Sequence, residues 1–181
     1  MLIVVSGPSG VGKSTLLNAI ADSFPIGFAV PVTTRCPRAE EVDGRDYDFI
    51  TVEAFHELIR RDALACWDFA LDNYYGYRKD LLSRLEDGQS VIIHCLARMG
   101  VRLSRSVDNS LLILLKPRSV EALEMRLQLR EYSEQELALR RSHWHEEVEH
   151  SPLFDVVVED ADVAEPESLS AAVAEILNQL R

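Results

Sequence analysis

Short, wholly apolar runs alternate along the chain with longer stretches in which apolar residues recur at helical spacing. LIVVS at residues 2–6 is typical of a strand buried on both faces of a parallel sheet. The same pattern predicts strands at residues 90–96 (SVIIHCL), 110–116 (SLLILLK) and 155–160 (DVVVED). Residues 27–35 (GFAVPVTTR) are interpreted as a second strand that ends in a polar loop.

Amphipathic stretches lie between these strands. Helical spacing of apolar residues predicts helices over residues 13–24, 51–64, 79–89, 119–150 and 166–181. The third ends at Gly88, the fourth is interrupted around residues 131–133, and the last has Pro166 near its first turn. A strand, a glycine-rich turn and a helix in succession at the start of the chain predict an α/β protein with a parallel central sheet.

Composition narrows the class of protein and the kind of partner. A length of 181 residues is that of one domain with a sizeable core. A net charge of -11 and a pI near 4.9 argue against general affinity for nucleic acid, which requires a basic surface. The sequence holds no apolar run of about 18 residues, so no membrane span is expected. Three irregularly spaced cysteines predict free thiols rather than disulfides, and hence a cytoplasmic protein. The segment MLIVVSGPSG lacks the basic leader and long apolar centre of a signal peptide, so none is expected.

The segment GPSGVGKST at residues 7–15 fits the phosphate-loop pattern of a glycine, four residues, Gly-Lys and Ser/Thr. Glycines allow the backbone to curl so that amides point at phosphate oxygens, and the following helix adds its positive dipole end. Lys13 can reach the outer phosphates, and the Ser14 hydroxyl can ligate Mg²⁺. The segment therefore predicts binding of ATP and Mg²⁺. The predicted ATP-binding residues are Gly7, Ser9, Gly10, Gly12, Lys13, Ser14 and Thr15.

Two arginines, Arg35 and Arg38, lie three residues apart in this acidic chain, with Pro37 between them. Guanidinium groups pair bidentately with phosphate oxygens, and the proline stiffens the loop that carries them. The pair predicts a second phosphate-binding site, for the acceptor.

The segment TTRCPRAEEVDGRDYDF at residues 33–49, with DNYYG at residues 72–76, closely resembles the acceptor-binding region of guanylate kinases. The resemblance implies a three-layer P-loop kinase fold and transfer of the γ-phosphoryl group of ATP onto the phosphate of GMP. It also implies that the acceptor phosphate is bound by Arg35, Arg38, Tyr47 and Tyr75.

The segment MRLQLREYSEQELALRR at residues 125–141 resembles the lid of the same family. The resemblance implies that Arg126, Arg130 and Arg141 close over the phosphates. With Lys13 of the phosphate loop, they are the predicted catalytic cations. Such arginines would balance the charge of the transferring phosphoryl group. Arg140 is interpreted as a surface residue.

Positions that read guanine in this family differ here. Pro31 occupies the position of a serine in the family, and Cys66 occupies that of an acidic residue before Trp67. Residues 94–97 (HCLA) replace an Asp-x-Asp at the end of a strand. Tyr77 and Arg78 replace residues with hydroxyl groups. A base loses discrimination when its hydrogen-bond partners are removed. The missing aspartates also leave Mg²⁺ with Ser14, ATP and water, since His94 and Cys95 are poor ligands for it.

Three functions follow from these observations. The first is a guanylate-kinase-type phosphotransferase, and the second is a kinase for a phosphomonoester without guanine, such as a ribose bisphosphate or another sugar phosphate. The third is a phosphopeptide-binding module of guanylate-kinase type, although such a module would not need Lys13, Ser14 or the lid arginines.

The resemblance also implies the division of the domain and its partners. The core is expected at residues 1–31, 84–121 and 142–181, the acceptor-binding region at about 32–83 and the lid at about 122–141. The expected partner is a small phosphorylated substrate, with no nucleic acid and no membrane, and the chain is expected to be a monomer or a homodimer. HWHEEVEH at residues 143–150 is interpreted as a polar, solvated helix face rather than a metal site.

Overall fold

A five-stranded parallel sheet forms the centre of the computed structural model, which describes residues 1–119, 121, 123–125, 133–159 and 176. Its strands are β1 (Leu2–Ser6), β2 (Gly27–Phe28), β7 (Val91–His94), β8 (Ser110–Lys116) and β9 (Val156–Glu159), in the spatial order β2-β7-β1-β8-β9. Each pairing in this sheet is parallel. The carboxyl ends of β1 and β7 therefore lie side by side, and Val5 pairs with His94.

Helices cover the two faces of this sheet. Helix α1 (Lys13–Ser23) lies on one face, and α3 (Asp80–Glu86) and α4 (Ala97–Ser104) lie on the other. The remaining helices are α2 (Val52–Arg60), α5 (Glu134–Glu149) and a short 3-10 helix at Ser151–Leu153. Ile3, Val5 and Ile113 pack against α1 on one face, whereas Leu2 and Val4 belong to the cluster that includes α3 and α4 on the other. A sheet between two helical layers is the expected three-layer α/β architecture.

A second, four-stranded sheet carries the acceptor loop, which we define as residues 34–47 between two of its strands. Its strands are β3 (Val32–Thr33), β4 (Asp48–Phe49), β5 (Leu64–Ala70) and β6 (Asn73–Arg78), in the order β4-β3-β6-β5. Val32, Phe55 and Leu64 form its core with α2. The sheet and α2 lie within the region predicted to bind the acceptor.

Parts of this arrangement differ from the sequence prediction, which gave no helix at the position of α4. Residues 27–35 were expected to form one strand but form β2 and β3 in different sheets, because Pro31 lacks the amide that a continuous strand would donate. The hairpin of β5 and β6 was not predicted. Its exposed Trp67 and Phe69 and its turn residues Leu71 and Asp72, with φ of 50 and 59°, mask the alternating pattern.

The predicted helices are present where the structure describes them, but the second, predicted over residues 51–64, ends at Arg60, and Leu64 already belongs to β5. Thr51 caps α2 by accepting a hydrogen bond from the Ala54 amide at 3.2 Å, and Ser133 and Glu136 form a capping box at the start of α5. Of the closing helix predicted over residues 166–181, the structure describes Ile176, which is helical and buried. No helix among the described residues is long and apolar enough to cross a bilayer.

Candidate active site

The glycine-rich turn between β1 and α1 is held in a conformation that requires glycine. Gly7 has a φ of 139° and Gly12, which precedes α1, has a φ of 98°. A Cβ atom on Gly7 would lie 2.3 Å from the carbonyl oxygen of Leu115 on the neighbouring strand β8. Backbone conformation and close packing therefore both exclude a side chain here. The turn exposes the amino end of α1 to the space above the sheet.

Lys13 lies across this turn. Its Nζ atom donates hydrogen bonds to the carbonyl oxygens of Gly7 at 2.5 Å and Pro8 at 2.8 Å. Ser14 and Thr15 follow on the first turn of α1, with exposed side chains. Anionic oxygens placed at the helix terminus would meet an ammonium group, two hydroxyl groups and the helix dipole.

The acceptor loop holds its two arginines on one carboxylate. Arg35 donates from Nη1 and Nη2 to the two oxygens of Glu41 at 2.9 and 2.8 Å. The Arg38 amide donates to Glu41 Oε2 at 2.8 Å, and Arg38 Nη1 lies 3.4 Å from Oε1. Although burial opposes ionisation, these partners lower the pKa of Glu41. Glu41 thus occupies the guanidinium fork where a phosphate would bind.

Aromatic residues surround this fork. The Arg35 guanidinium lies 5.1 Å from the centre of the Tyr47 ring, and Tyr47 makes edge contacts with Tyr75 and His94. Burial raises the pKa of Tyr47 to about 12. Desolvation, followed by the charge of Lys13, lowers the pKa of His94 to about 4. Both phenols and the imidazole are therefore neutral near pH 7, so they can donate hydrogen bonds to phosphate.

The two phosphate-binding regions line a single cleft of about 570 Å³ at the carboxyl ends of β1 and β7. The residues predicted from sequence that line it are Gly7, Ser9, Gly10, Gly12, Lys13, Ser14, Thr15, Arg35, Arg38, Tyr47 and Tyr75. The structure therefore brings together residues that lie up to 68 positions apart in the chain (75 - 7). This is the edge at which ligands bind in open α/β sheets.

The lid arginines are placed differently from the prediction. Arg126 and Arg130 lie outside the described residues. Arg141 was expected at the phosphates and Arg140 on the surface, but Arg140 lines the cleft. Arg141 is instead half-exposed and pairs through Nε with Glu124 at 2.5 Å. The surface interpretation of Arg140 is therefore wrong, because α5 presents position 140 inward and position 141 outward. The catalytic role of Arg141 stays a prediction.

One face of α5 forms a wall of the same cleft through Arg140, His143, Trp144 and Glu147. Their spacing of three, four and seven residues is that of a single helix face. The interpretation of residues 143–150 as a solvated face holds for the exposed His145 but is wrong for Glu147, which is buried. Trp144 Nε1 is buried without a hydrogen-bond partner among the described residues.

Glu147 is the residue of this face that sequence reasoning missed most clearly. Its side chain is buried, and its Oε1 and Oε2 atoms accept hydrogen bonds from the amides of Ala97 at 2.9 Å and Gly7 at 3.2 Å. Desolvation raises the pKa of Glu147, and the Ala97 amide and Lys13 oppose that rise. Only the i, i+3, i+4, i+7 spacing with Arg140 could have indicated its position.

The side of the cleft where the base is expected has few free polar groups. The Tyr77 hydroxyl donates to the carbonyl of His94 at 2.9 Å and accepts from its amide at 3.1 Å. Cys66 is buried, and desolvation raises the pKa of its thiol to about 12. Both oxygens of Asp68 are engaged by Arg98, at 2.8 and 3.0 Å, so Asp68 is not available to replace the acid at position 66.

Metal binding in this cleft would depend on oxygen atoms of the ligands. Among the described residues, no group of three or more His, Cys, Asp or Glu side chains could hold a metal ion. The Ser14 hydroxyl is exposed to the cleft and is a hard oxygen donor. This fits Mg²⁺, which usually keeps several waters and binds one or two protein oxygens with substrate phosphates.

Comparisons with known proteins give a consistent family. The guanylate kinase family model matches residues 1–180. Among curated relatives, the chain is 34% identical over 166 residues to the guanylate kinase of Caldanaerobacter subterraneus, covering 90% of this chain and 81% of that protein. It is 36% identical over 178 residues to the guanylate kinase of Gloeobacter violaceus, covering 96% and 87%.

Solved structures agree on the fold. The guanylate kinase of Anaplasma phagocytophilum superposes with a TM-score of 0.75 at 23% identity, covering 99% of this chain and 84% of that one. A sugar kinase from Janibacter sp. matches with a TM-score of 0.58 at 21% identity, covering 99% and 93%. Both matches support the P-loop kinase architecture.

Proposed function

The chain belongs to the guanylate kinase family, and from that premise we propose that it transfers the γ-phosphoryl group of ATP to GMP, forming ADP and GDP. The single observation that carries this proposal is the cleft itself. The glycine-rich turn and Lys13 lie at one side of it, and Arg35 and Arg38 lie in the acceptor loop. One phosphate-binding site for the donor and another for the acceptor are what the reaction requires.

The cations of the cleft supply the rate by positioning and charge neutralisation. An oxygen of the GMP phosphate attacks the γ-phosphorus in line, and the bond from that phosphorus to the β–γ bridging oxygen breaks. A phosphate oxygen is already anionic, so little general-base help is required. Lys13 leaves the Gly7 and Pro8 carbonyls for the outer ATP phosphates. Arg35 exchanges Glu41 for the acceptor phosphate, which offers the same bidentate geometry.

Mg²⁺ completes the donor site in this proposal. Ser14 would hold it together with ATP oxygens and water, and the ion would neutralise phosphate charge. Strand β7 offers no carboxylate at its carboxyl end to orient that water, because it ends at His94 and is followed by Cys95 and Leu96.

Arg140 is proposed as the lid cation within the described part of the chain. It lines the cleft, and its charge, with that of Arg35, opposes the burial-driven rise in the pKa of Tyr75. It therefore lies close to the acceptor phosphate site. Roles for Arg126 and Arg130 remain predictions of the family resemblance.

Neither alternative function is favoured. The matched relatives are named guanylate kinases and are covered over most of their length, which supports a nucleoside monophosphate rather than a sugar phosphate. The phosphate loop retains Lys13 and Ser14 in the cleft, which supports catalysis rather than phosphopeptide binding. A cytoplasmic location remains a prediction, and it is supported by three cysteines that are all free.

The test is ATP turnover with GMP, AMP, CMP and UMP in turn. We expect GMP to be the best acceptor. Selectivity over AMP should be no more than about a hundredfold, because an apolar base pocket discriminates far less than one that hydrogen-bonds the base. Failure of GMP to stimulate ADP formation would contradict the function. A selectivity of about 10⁴ or more would contradict only the account of the base side.

A further inference from the structure

Glu147 joins three parts of the fold that are distant in sequence. It lies near the end of α5, and its carboxylate accepts one hydrogen bond from Gly7 in the phosphate loop and one from Ala97 at the first position of α4. These partners are 140 and 50 residues away along the chain. Among the described polar and charged side chains, those buried as deeply are Ser6 and Thr33, which are uncharged.

Burial of a carboxylate is costly unless its oxygens are satisfied. Here each oxygen accepts one amide hydrogen bond, and the Ala97 amide belongs to the positive end of a helix. Lys13 lies near enough to favour the charged form. The site is therefore built for a carboxylate, and a neutral side chain of similar size would leave at least one buried amide without an acceptor.

The position of Glu147 on α5 links it to the lid. Arg140 lies seven residues earlier, two turns along the same helix face. An anchor at position 147 therefore fixes the height and rotation of Arg140 above the cleft. It also fixes Gly7, whose φ of 139° sets the entrance of the phosphate loop.

We propose that Glu147 is a positioning residue that couples the donor-phosphate loop to the lid helix, so that ATP binding and the placement of Arg140 depend on one buried carboxylate. The inference rests on the proposed function, since it assigns a role within that reaction. Glu147 does not contact the reacting atoms in this account. It acts through the Gly7 amide and through the orientation of α5.

Loss of such a residue should change KM for ATP and kcat more than it changes KM for GMP. Glu147→Ala leaves the Gly7 and Ala97 amides without their acceptor, so KM for ATP should rise about tenfold and kcat should fall by a similar factor. KM for GMP should change less than about twofold, because Arg35 and Arg38 are oriented by Glu41 within their own loop. Glu147→Gln keeps one acceptor oxygen and should restore part of the loss.

Glu149→Ala is the matched control, because Glu149 is exposed on the same helix and should leave all parameters unchanged. Binding of a non-hydrolysable ATP analogue, measured by calorimetry, provides a readout independent of GMP. If wild-type protein turned over no GMP, the proposed function would fail. The analogue's affinity for the Glu147 variants would still test the coupling to the phosphate loop.

Two results would overturn the proposal. One is an equal rise in the KM values of ATP and GMP in Glu147→Gln, which indicates general loosening of the fold. The other is unchanged analogue binding and turnover in Glu147→Gln or Glu147→Ala. If the alanine variant does not fold, the glutamine variant decides the matter alone.

Discussion

The cationic side chains in the cleft already donate hydrogen bonds to oxygen atoms of the protein. Arg35 and Arg38 share Glu41, and Lys13 is held by two backbone carbonyls. Each cation therefore already has a partner with oxygen atoms, in the geometry that a phosphate would offer. Binding replaces one set of oxygen acceptors with another, which limits the cost of uncovering a positive charge.

His94 gives this cleft a measurable dependence of stability on pH. Desolvation lowers the pKa of its imidazole from 6.5 to about 4, so the unfolded chain binds a proton between these two values and the folded chain does not. The free energy of unfolding should therefore decrease as pH falls through this window, and the contribution of His94 should be constant above it. Acidification thus weakens the fold through this residue.

We expect the melting temperature of the wild-type protein to fall more steeply than that of His94→Asn between about pH 7.5 and pH 5. Thermal unfolding followed by circular dichroism at several pH values measures this. His145→Asn is the control, since His145 is exposed on α5 and should leave the slope unchanged. Parallel slopes for His94→Asn and the wild type would show that the imidazole ionises normally in the fold.

Helix α5 determines which of its two neighbouring arginines faces the cleft. Arg140 and Arg141 are neighbours in sequence but face opposite environments, because successive residues on a helix are about 100° apart. The family resemblance alone placed Arg141 at the phosphates, whereas the inward face of α5 carries Arg140 with Trp144 and Glu147. This correction could not be made from local sequence, since both positions are arginine.

Arg140→Ala should lower kcat about a hundredfold, because it removes a cation that stabilises the transferring phosphoryl group. Arg141→Ala should change kcat less than about threefold, because it removes a half-exposed ion pair with Glu124. Steady-state kinetics with ATP and GMP separates the two variants, each of which serves as the control for the other. A larger loss in Arg141→Ala would restore the original assignment.

Elements with strong local signals were predictable from the sequence. The apolar runs of β1, β7, β8 and β9 and the glycine turn before α1 stood out because a buried parallel sheet imposes a distinctive composition. The β5–β6 hairpin was missed because its aromatic side chains are distributed over both faces. Helix α4 was missed because it is only eight residues long and contains Gly100, which is a poor helix former.

The residues of the candidate site also include some that local sequence predicts and some that it does not. Lys13, Ser14, Arg35 and Arg38 belong to contiguous segments whose chemistry is readable locally. The role of Glu147 depends on amides 140 and 50 residues away, and no local pattern encodes such contacts. Tertiary placement, rather than residue type, thus accounts for what the sequence could not predict.

At the scale of the whole molecule, a strongly acidic chain places several cations around one cleft. The net charge is -11, yet Lys13, Arg35, Arg38 and Arg140 all line the space between the phosphate loop and the acceptor loop. Glu40, Glu41, Asp46 and Glu147 also line this cleft, so its cations would select small anions through direct contacts. The acidic surface as a whole disfavours large polyanions. This arrangement of cations suits a kinase that transfers a phosphoryl group from one phosphorylated small molecule to another.

The most direct test of this account is the fate of the γ-phosphoryl group. ATP labelled at that group, incubated with GMP and Mg²⁺, should place the label in the β-phosphate of GDP in one-to-one stoichiometry with ADP. Lys13→Ala should reduce this transfer by about a thousandfold while Lys79→Ala, at an exposed ion pair with Asp62, leaves it unchanged. Label released as inorganic phosphate, or transfer that persists in Lys13→Ala, would contradict a phosphoryl transfer across the cleft.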